Sequence, residues 1–418
     1  MGNEVEYWNI NVNVGFILLD MPVYSPIYSL PYVLFLLYLF ALFVIERNRI
    51  NRGYSAAKIQ NITWLSLLFF IGFRGFIYTD WFTYYPVYEY LPTIGNTSIQ
   101  NLDTDWELGF VLYTILLKTL GVSYWGWNFI SSFIDLFLLH LLLKKRTENY
   151  YVLAFIAYYI YSGLLMEVNL MRNMKSIILF LVSISYLEKR KFIPYLILNV
   201  IGIFFHISSI VYLLLYFVLS KRISRKVYWV IFGIGNLIFL MKIKNNNGQS
   251  KIGTSLAAHI LLFVAGMIGG RSEMLLMYME NNMTYGITIG YIERVFFFLL
   301  LLYFYDKVQK DGNRYVYLNI YTMYFISYFY LAEFPIISER LSYLFIISYW
   351  FLIPVFYSYF SIQKRKIFFW ALVLYGTMKT IAANDSLLCR YDNLLFGIEQ
   401  YEDRRYLFNR YSDKLIVQ

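Results

Sequence analysis

Apolar runs long enough to cross a bilayer alternate along this chain with short basic clusters, and that alternation most constrains what it can fold into. The clusters are Arg47/Arg49/Arg52, Lys144/Lys145/Arg146, Lys189/Arg190/Lys191, Lys221/Arg222/Arg225/Lys226, Lys307/Lys310/Arg314 and Lys364/Arg365/Lys366. The positive-inside rule puts all six on the cytoplasmic side of a membrane. Outside remain single arginines at helix ends, Arg74, Arg172, Arg294 and Arg340, each beside aromatic or acidic residues.

Composition narrows the class. Apolar residues make up 59% of the chain and charged ones only 15%, which excludes a string of soluble domains and leaves one polytopic helical membrane domain over 1–418. The 43 tyrosines and 37 phenylalanines suit helix ends in the headgroup layer. A net charge of +10 would point to nucleic acid in a soluble protein. Here the excess sits in short turns facing anionic lipid, so membrane lipid is the partner and nucleic acid is rejected. One cysteine, Cys389, excludes an intramolecular disulfide and a Cys-rich metal site. The first apolar run, near Ile27, lacks a basic flank and a cleavage site and is expected to be a retained helix.

Counting roughly 20 apolar residues per crossing of a core about 30 Å thick, the sequence predicts membrane helices near 27–45, 57–73, 124–143, 150–165, 174–188, 192–205, 207–220, 227–243, 291–305, 315–333, 341–360 and 367–383. With re-entrant pieces this makes an all-α integral membrane protein of about 12–14 transmembrane or re-entrant helices. Two places resist a simple count. As one helix the apolar stretch 192–220 would be about 42 Å long, and fitting it into the core needs a tilt of about 45°. It would also put the basic clusters at 189–191 and 221–226 on opposite sides. Two short helices meeting at Phe205-His206-Ile207-Ser208 satisfy both length and charge. The second misfit is 107–120, for which no parity is left, so it is expected to be an interfacial or re-entrant helix within an outer loop over 74–123. By the same parity 244–290 is an outer excursion with a re-entrant or paired apolar piece at 256–270, and the polar segment 384–418 lies outside.

Four outer groupings can carry chemistry. In the first, Arg74 ends a helix and Asp80 follows among Trp81, Tyr84 and Tyr85; a guanidinium there can grip phosphate and the rings suit sugars. In the second, Arg172, Lys175 and Ser176 share one face at a helix N-terminus. A cation at that end is unfavourable unless an anion is near, and either a bound phosphate or Glu167 could supply it. The third is His206 with Ser208 and Ser209 at the tip of the broken hairpin; an ionisable group at membrane depth is costly, and imidazole is a natural base near neutral pH. The fourth is Glu339-Arg340 at a helix start, with Glu293-Arg294 on a neighbour. Each also has a structural reading as a helix-end ion pair or a satisfied core histidine. No phosphate loop, nucleotide fingerprint or paired His/Cys spacing is present, so no cofactor or metal is expected and any donor arrives already activated.

The stretches Phe73-Arg74 through Asp80-Trp81 and Tyr84-Tyr85, Asn169-Leu170-Met171-Arg172 before a helix ending Tyr186-Leu187-Glu188-Lys189, and Phe205-His206 with Ser208-Ser209 together resemble EpsG-type proteins, which belong with the Wzy-like bacterial surface-polysaccharide polymerases. Glu339-Arg340-Leu341 and Arg390-Tyr391-Asp392-Asn393 fit the same pattern. The resemblance runs in order over 27–395 and is most specific over 160–220. Two departures stand out: the family usually has glycine and a small residue before the aspartate, where this chain has Tyr78-Thr79, and usually glutamine and small residues after the central arginine, where it has Asn173-Met174-Lys175.

The resemblance implies a GT-C-like enzyme in a bacterial cytoplasmic (inner) membrane that joins undecaprenyl-pyrophosphate-linked repeat units, as donor and acceptor, into O-antigen, capsule or exopolysaccharide on the periplasmic or outer face. Arg172 and Arg340, with Arg74, Lys175 and Arg294, would hold the pyrophosphate without a metal. His206 or Asp80 would be the base, and Trp81, Tyr84, Tyr85 and Glu339 would line the sugar path. A chain-length regulator and a flippase are the implied partners. A lipid-linked oligosaccharide flippase, or a ligase of the same architecture, is the competing function.

Overall fold

The structure is a computed structural model, which describes residues 21–95, 104–244 and 286–416. Its helices are, in order, α1 Leu30–Asn51, α2 Ala57–Gly72, α3 Trp81–Tyr90, α4 Leu108–Thr119, α5 Tyr124–Arg146, α6 Tyr151–Ile160, α7 Gly163–Val168, α8 Met171–Glu188, α9 Phe192–Phe205, α10 Ile210–Leu219, α11 Arg225–Lys244, α12 Ile289–Lys310, α13 Tyr315–Phe329, α14 Pro335–Phe345, α15 Ser348–Tyr359, α16 Ile362–Asn384 and α17 Tyr401–Ile416. Among the described residues there is no strand, only isolated bridges. The expected apolar piece at 256–270 lies outside the described residues.

A helix apolar on every face belongs at the centre of a bundle. Every residue of α6 is buried, as are all of α15 before its last two positions and nearly all of α13. Around them the outer helices turn large apolar side chains outward: Leu34, Leu214, Phe217, Ile367, Trp370 and Leu374 are all more than half exposed. Rows of bare leucine and phenylalanine are costly in water and ordinary against lipid, so this is a membrane protein. By length and composition α1 with its preceding turn, α5 and α16 can each cross a bilayer, and the pair α14 and α15, bent by 55°, makes a possible fourth span. Helices α4, α6 and α9 are apolar but shorter. Among the described residues, a few full-length helices thus stand beside shorter and broken apolar ones.

Each break has a local cause. The predicted helix over 150–165 is cut by Ser162, whose φ of 64° lies in the left-handed region. The predicted helix over 341–360 becomes α14 and α15, starting earlier because Pro335 is pre-organised for a first turn. The aromatic stretch after Asp80 is a helix, α3. As expected, α9 ends at Phe205 and His206 is extended before a single 3-10 turn leads into α10.

Contacts between the basic clusters settle which ends lie together. Arg47 donates to the Asn149 carbonyl (3.1 Å) and sits over the Tyr150 ring, as does Arg365. Arg146 pairs with Glu188 at 2.6 Å and lies over Tyr317. Arg222 donates to the Gln309 carbonyl (2.7 Å). Five clusters are thus joined by contacts at one end of the bundle, and the third follows directly on Glu188. At the other end the 74–80 loop pairs with the C-terminal segment: the N–H of Gly75 donates to the Asp392 carbonyl, that of Tyr78 to Leu388 and that of Leu394 to Phe73, each at 2.8 Å.

Candidate active site

At the end away from the basic clusters, α4, α8 and the turn after α9 converge. The approach of α4 to α9 depends on Gly109, since a Cβ there would stand 2.8 Å from both the Cβ and the carbonyl oxygen of Phe204. Two residues earlier, Glu107 therefore reaches the broken hairpin, and its Oε1 accepts from the Ile207 N–H at 3.3 Å. Its other oxygen takes a 2.7 Å ion pair from Arg172, the second residue of α8. Burial would raise the Glu107 carboxyl, but His206, Arg172 and the Ile207 N–H outweigh it and hold it below the ordinary glutamate range. Glu107 is thus an anion that accompanies the cation at the α8 N-terminus. Among the protein's own carboxylates the partner is Glu107 and not Glu167.

The buried Tyr84 hydroxyl interacts electrostatically with the Arg172 guanidinium, whose Nε–H is buried with no hydrogen-bond partner among the described residues. Beside them lies Asp80, at the start of α3. Asn169 builds this corner: its Oδ1 accepts from the N–H groups of Thr79 (3.2 Å) and Asp80 (3.3 Å), and its Nδ2 donates to the Thr79 hydroxyl (3.0 Å). That hydroxyl in turn donates to Asp80 Oδ1. Burial pushes the Asp80 carboxyl up to about 6, against the opposing pull of the Thr79 hydroxyl and the charges of Arg172 and Arg340. Arg340, exposed on α14, thus acts on the same carboxylate as Arg172. Tyr78, two residues before Asp80, has a φ of 61°, the left-handed region where glycine is at ease. The bulky residue is held by burial and by a 2.6 Å bond from its hydroxyl to Asn384.

His206 Nδ1 accepts from the Ser208 N–H at 3.2 Å and lies 2.7 Å from the Ser208 hydroxyl. An Nδ1 used as acceptor leaves the proton of a neutral ring on Nε2. His206, Glu107, Arg172, Tyr84, Asp80 and Arg340 therefore form one cluster, held together by contacts and by charge.

Three cations expected on the pyrophosphate lie elsewhere. Arg74 is buried and spends its guanidinium on the Ile71 carbonyl (2.8 Å), the Ser132 hydroxyl (2.9 Å), Asn128 (3.3 Å) and the Glu167 carbonyl (3.2 Å), tying α2 to α5 and α7. Lys175 points the other way into the bundle and pairs with Asp135 at 2.6 Å, while the neighbouring Ser176 hydroxyl donates to the Gly202 carbonyl. Helical spacing put these residues on one face, but packing of α5 and α9 against α8 divides that face. Arg294 lies in an aromatic nest, 3.7 Å above the Tyr328 ring, next to the Glu293–Lys379 pair. Of the proposed sugar-lining residues, Trp81 is buried and donates to the Tyr78 carbonyl, and Tyr84 is buried against Trp106. Tyr85 is stacked on Tyr401, and Glu339 is exposed and accepts from Tyr343.

Sequence reasoning assigned no chemistry to Glu107 or Asn169. A charged residue opening an apolar helix was the available signal for Glu107. Asn169, three residues before Arg172, offered none beyond its place in the motif.

A family model described as the EpsG family matches residues 58–386, a stretch that takes in every member of the cluster. No curated protein and no solved structure matches the chain.

Proposed function

The chain belongs to the EpsG family, and on that premise we propose that it is a membrane glycosyltransferase of polymerase type, GT-C-like in its use of a membrane-embedded site. It would join undecaprenyl-pyrophosphate-linked repeat units into a surface polysaccharide on the extracytoplasmic face of a bacterial inner membrane. One observation carries the reading: Arg172 and Arg340 both act on Asp80 at the end away from the basic clusters, with His206 and Glu107 alongside.

In the reaction an acceptor hydroxyl oxygen bonds to the anomeric carbon of the donor sugar. The bond from that carbon to the diphosphate oxygen breaks, and the electron pair leaves with the lipid diphosphate. Arg172 and Arg340 stabilise the charge that develops there, Arg172 being held in place by Glu107. Asp80 takes the hydroxyl proton, because a carboxyl raised to about 6 is both ionised and basic near neutral pH. His206, with its proton on Nε2, is suited to donate a hydrogen bond to the diphosphate or to a sugar oxygen.

Replacing Arg172 by alanine is expected to abolish polymer while protein level and single lipid-linked repeat units persist. Long chains made by that variant would end the proposal. Purified protein that makes polymer from lipid-linked repeats without any ion gradient would separate the enzyme from a flippase.

A further inference from the structure

Two cavities flank the start of α17, outside the cluster described above. The first, about 440 Å³, is lined by Arg390, Asp392, Asn393, Glu399 and Arg404 among others. Its charges cancel: Arg390 pairs with Glu399, Arg404 Nε lies 2.9 Å from Glu399 Oε2, and an Arg404 terminal nitrogen lies 3.9 Å from Asp392 Oδ2. The second, about 430 Å³, lies between Phe82, Tyr85 and Glu89 of α3 and Tyr401 and Arg405 of α17. Glu399 borders one and Tyr401 the other, so only Gln400 separates them along the chain.

Both volumes fall in the range of small-ligand sites. A wall dense in donors and acceptors but without net charge does not concentrate a diphosphate; it matches a polyhydroxylated ligand, whose hydroxyls both give and accept hydrogen bonds. The second cavity adds aromatic faces, with Tyr85 stacked on Tyr401 at 4.6 Å between centroids. Location ties the two to the chemistry. Gly75 is so close to Asp392 that a Cβ would stand 2.7 Å from its carboxyl, and α3 is the helix that Asp80 begins.

We propose that these two cavities form an oligosaccharide-holding surface, which receives sugar rings remote from the bond being made and keeps the growing glycan beside Asp80. This rests on the polymerase reading. A polymerase that grips rings beyond the reacting one loses its product less often and makes longer chains.

The test uses the full-length protein in detergent and a free repeat-unit oligosaccharide, without lipid or diphosphate, from partial depolymerisation of the producing cell's polysaccharide. Glu89→Gln with Arg405→Ala alters the second cavity at exposed positions, and Glu399→Gln alters the first. Each is expected to weaken oligosaccharide binding about tenfold, the loss of one or two charge-assisted contacts. Binding of inorganic pyrophosphate should stay unchanged in these variants and fall in Arg172→Ala. In cells the cavity variants should make shorter chains. Oligosaccharide binding and chain length that are the same in wild type and all cavity variants would overturn the inference while leaving the polymerase reading intact. If Arg172→Ala still makes polymer but the cavity variants lose oligosaccharide binding, the polymerase reading fails and the glycan surface remains.

Discussion

Asp80 and Glu107 have opposite environments, and this separates their roles. Asp80 is pushed up to about 6 chiefly by burial, so a reaction using it as base should lose about tenfold in rate per pH unit below that value. A rate flat from pH 7 to pH 5 would exclude Asp80 as the base. The sign for stability follows from the same shift. A carboxyl whose folded value exceeds its ordinary 3.8 binds protons more tightly in the folded chain, so this site loses stability as pH rises from there through about 6. Asp80→Asn, which keeps an acceptor for the Thr79 hydroxyl, should therefore abolish polymer yet melt no lower than wild type at pH 7. Glu107 is held down by His206 and Arg172 against burial, and its loss leaves Arg172 without its ion-pair partner. Glu107→Gln is expected to cut turnover about a hundredfold by misplacing Arg172, with a smaller effect on thermal stability. Undiminished turnover in that variant would mean that Arg172 is not positioned through Glu107.

Helix breaks, rather than helices, place these side chains. The cut between α9 and α10 frees the Ile207 N–H to meet Glu107, and the short α4 reaches it only because Gly109 lets two backbones touch. Gly109→Ala must force α4 off α9, so we expect polymer synthesis to fall while the protein still elutes as a folded species. Normal chain length from that variant would show that the close approach is dispensable. The broken hairpin was legible in the sequence because length and charge parity both demanded it over 192–220. The cut at Ser162 and the bend between α14 and α15 were not, since an apolar run reads alike whether it is straight or broken. The family's glycine before the aspartate is explained by the backbone at Tyr78, whose φ of 61° a glycine would adopt without strain.

For the whole molecule, the meeting of basic clusters at one end makes sidedness a measurable property. Native Cys389 is buried, so single cysteines introduced at the exposed Lys310 and Leu395 report opposite ends. A membrane-impermeant maleimide added to intact cells should label Leu395→Cys and spare Lys310→Cys. The reverse pattern would turn the cluster toward the cytoplasm and remove it from lipid-linked repeat units outside.

Which residues share an end of the bundle was written in the chain itself, because the cost of carrying a lysine or arginine across lipid is paid by each segment alone and needs no partner. Which of the outer cations could act was decided only by tertiary structure. Arg74, Lys175 and Arg172 look alike in sequence, each a cation at or near a helix end. An ion pair or a hydrogen bond depends on the last ångström of approach between elements far apart in the chain. Packing gave Arg74 to Ser132 and the Glu167 carbonyl, Lys175 to Asp135, and Arg172 to Glu107 beside Asp80.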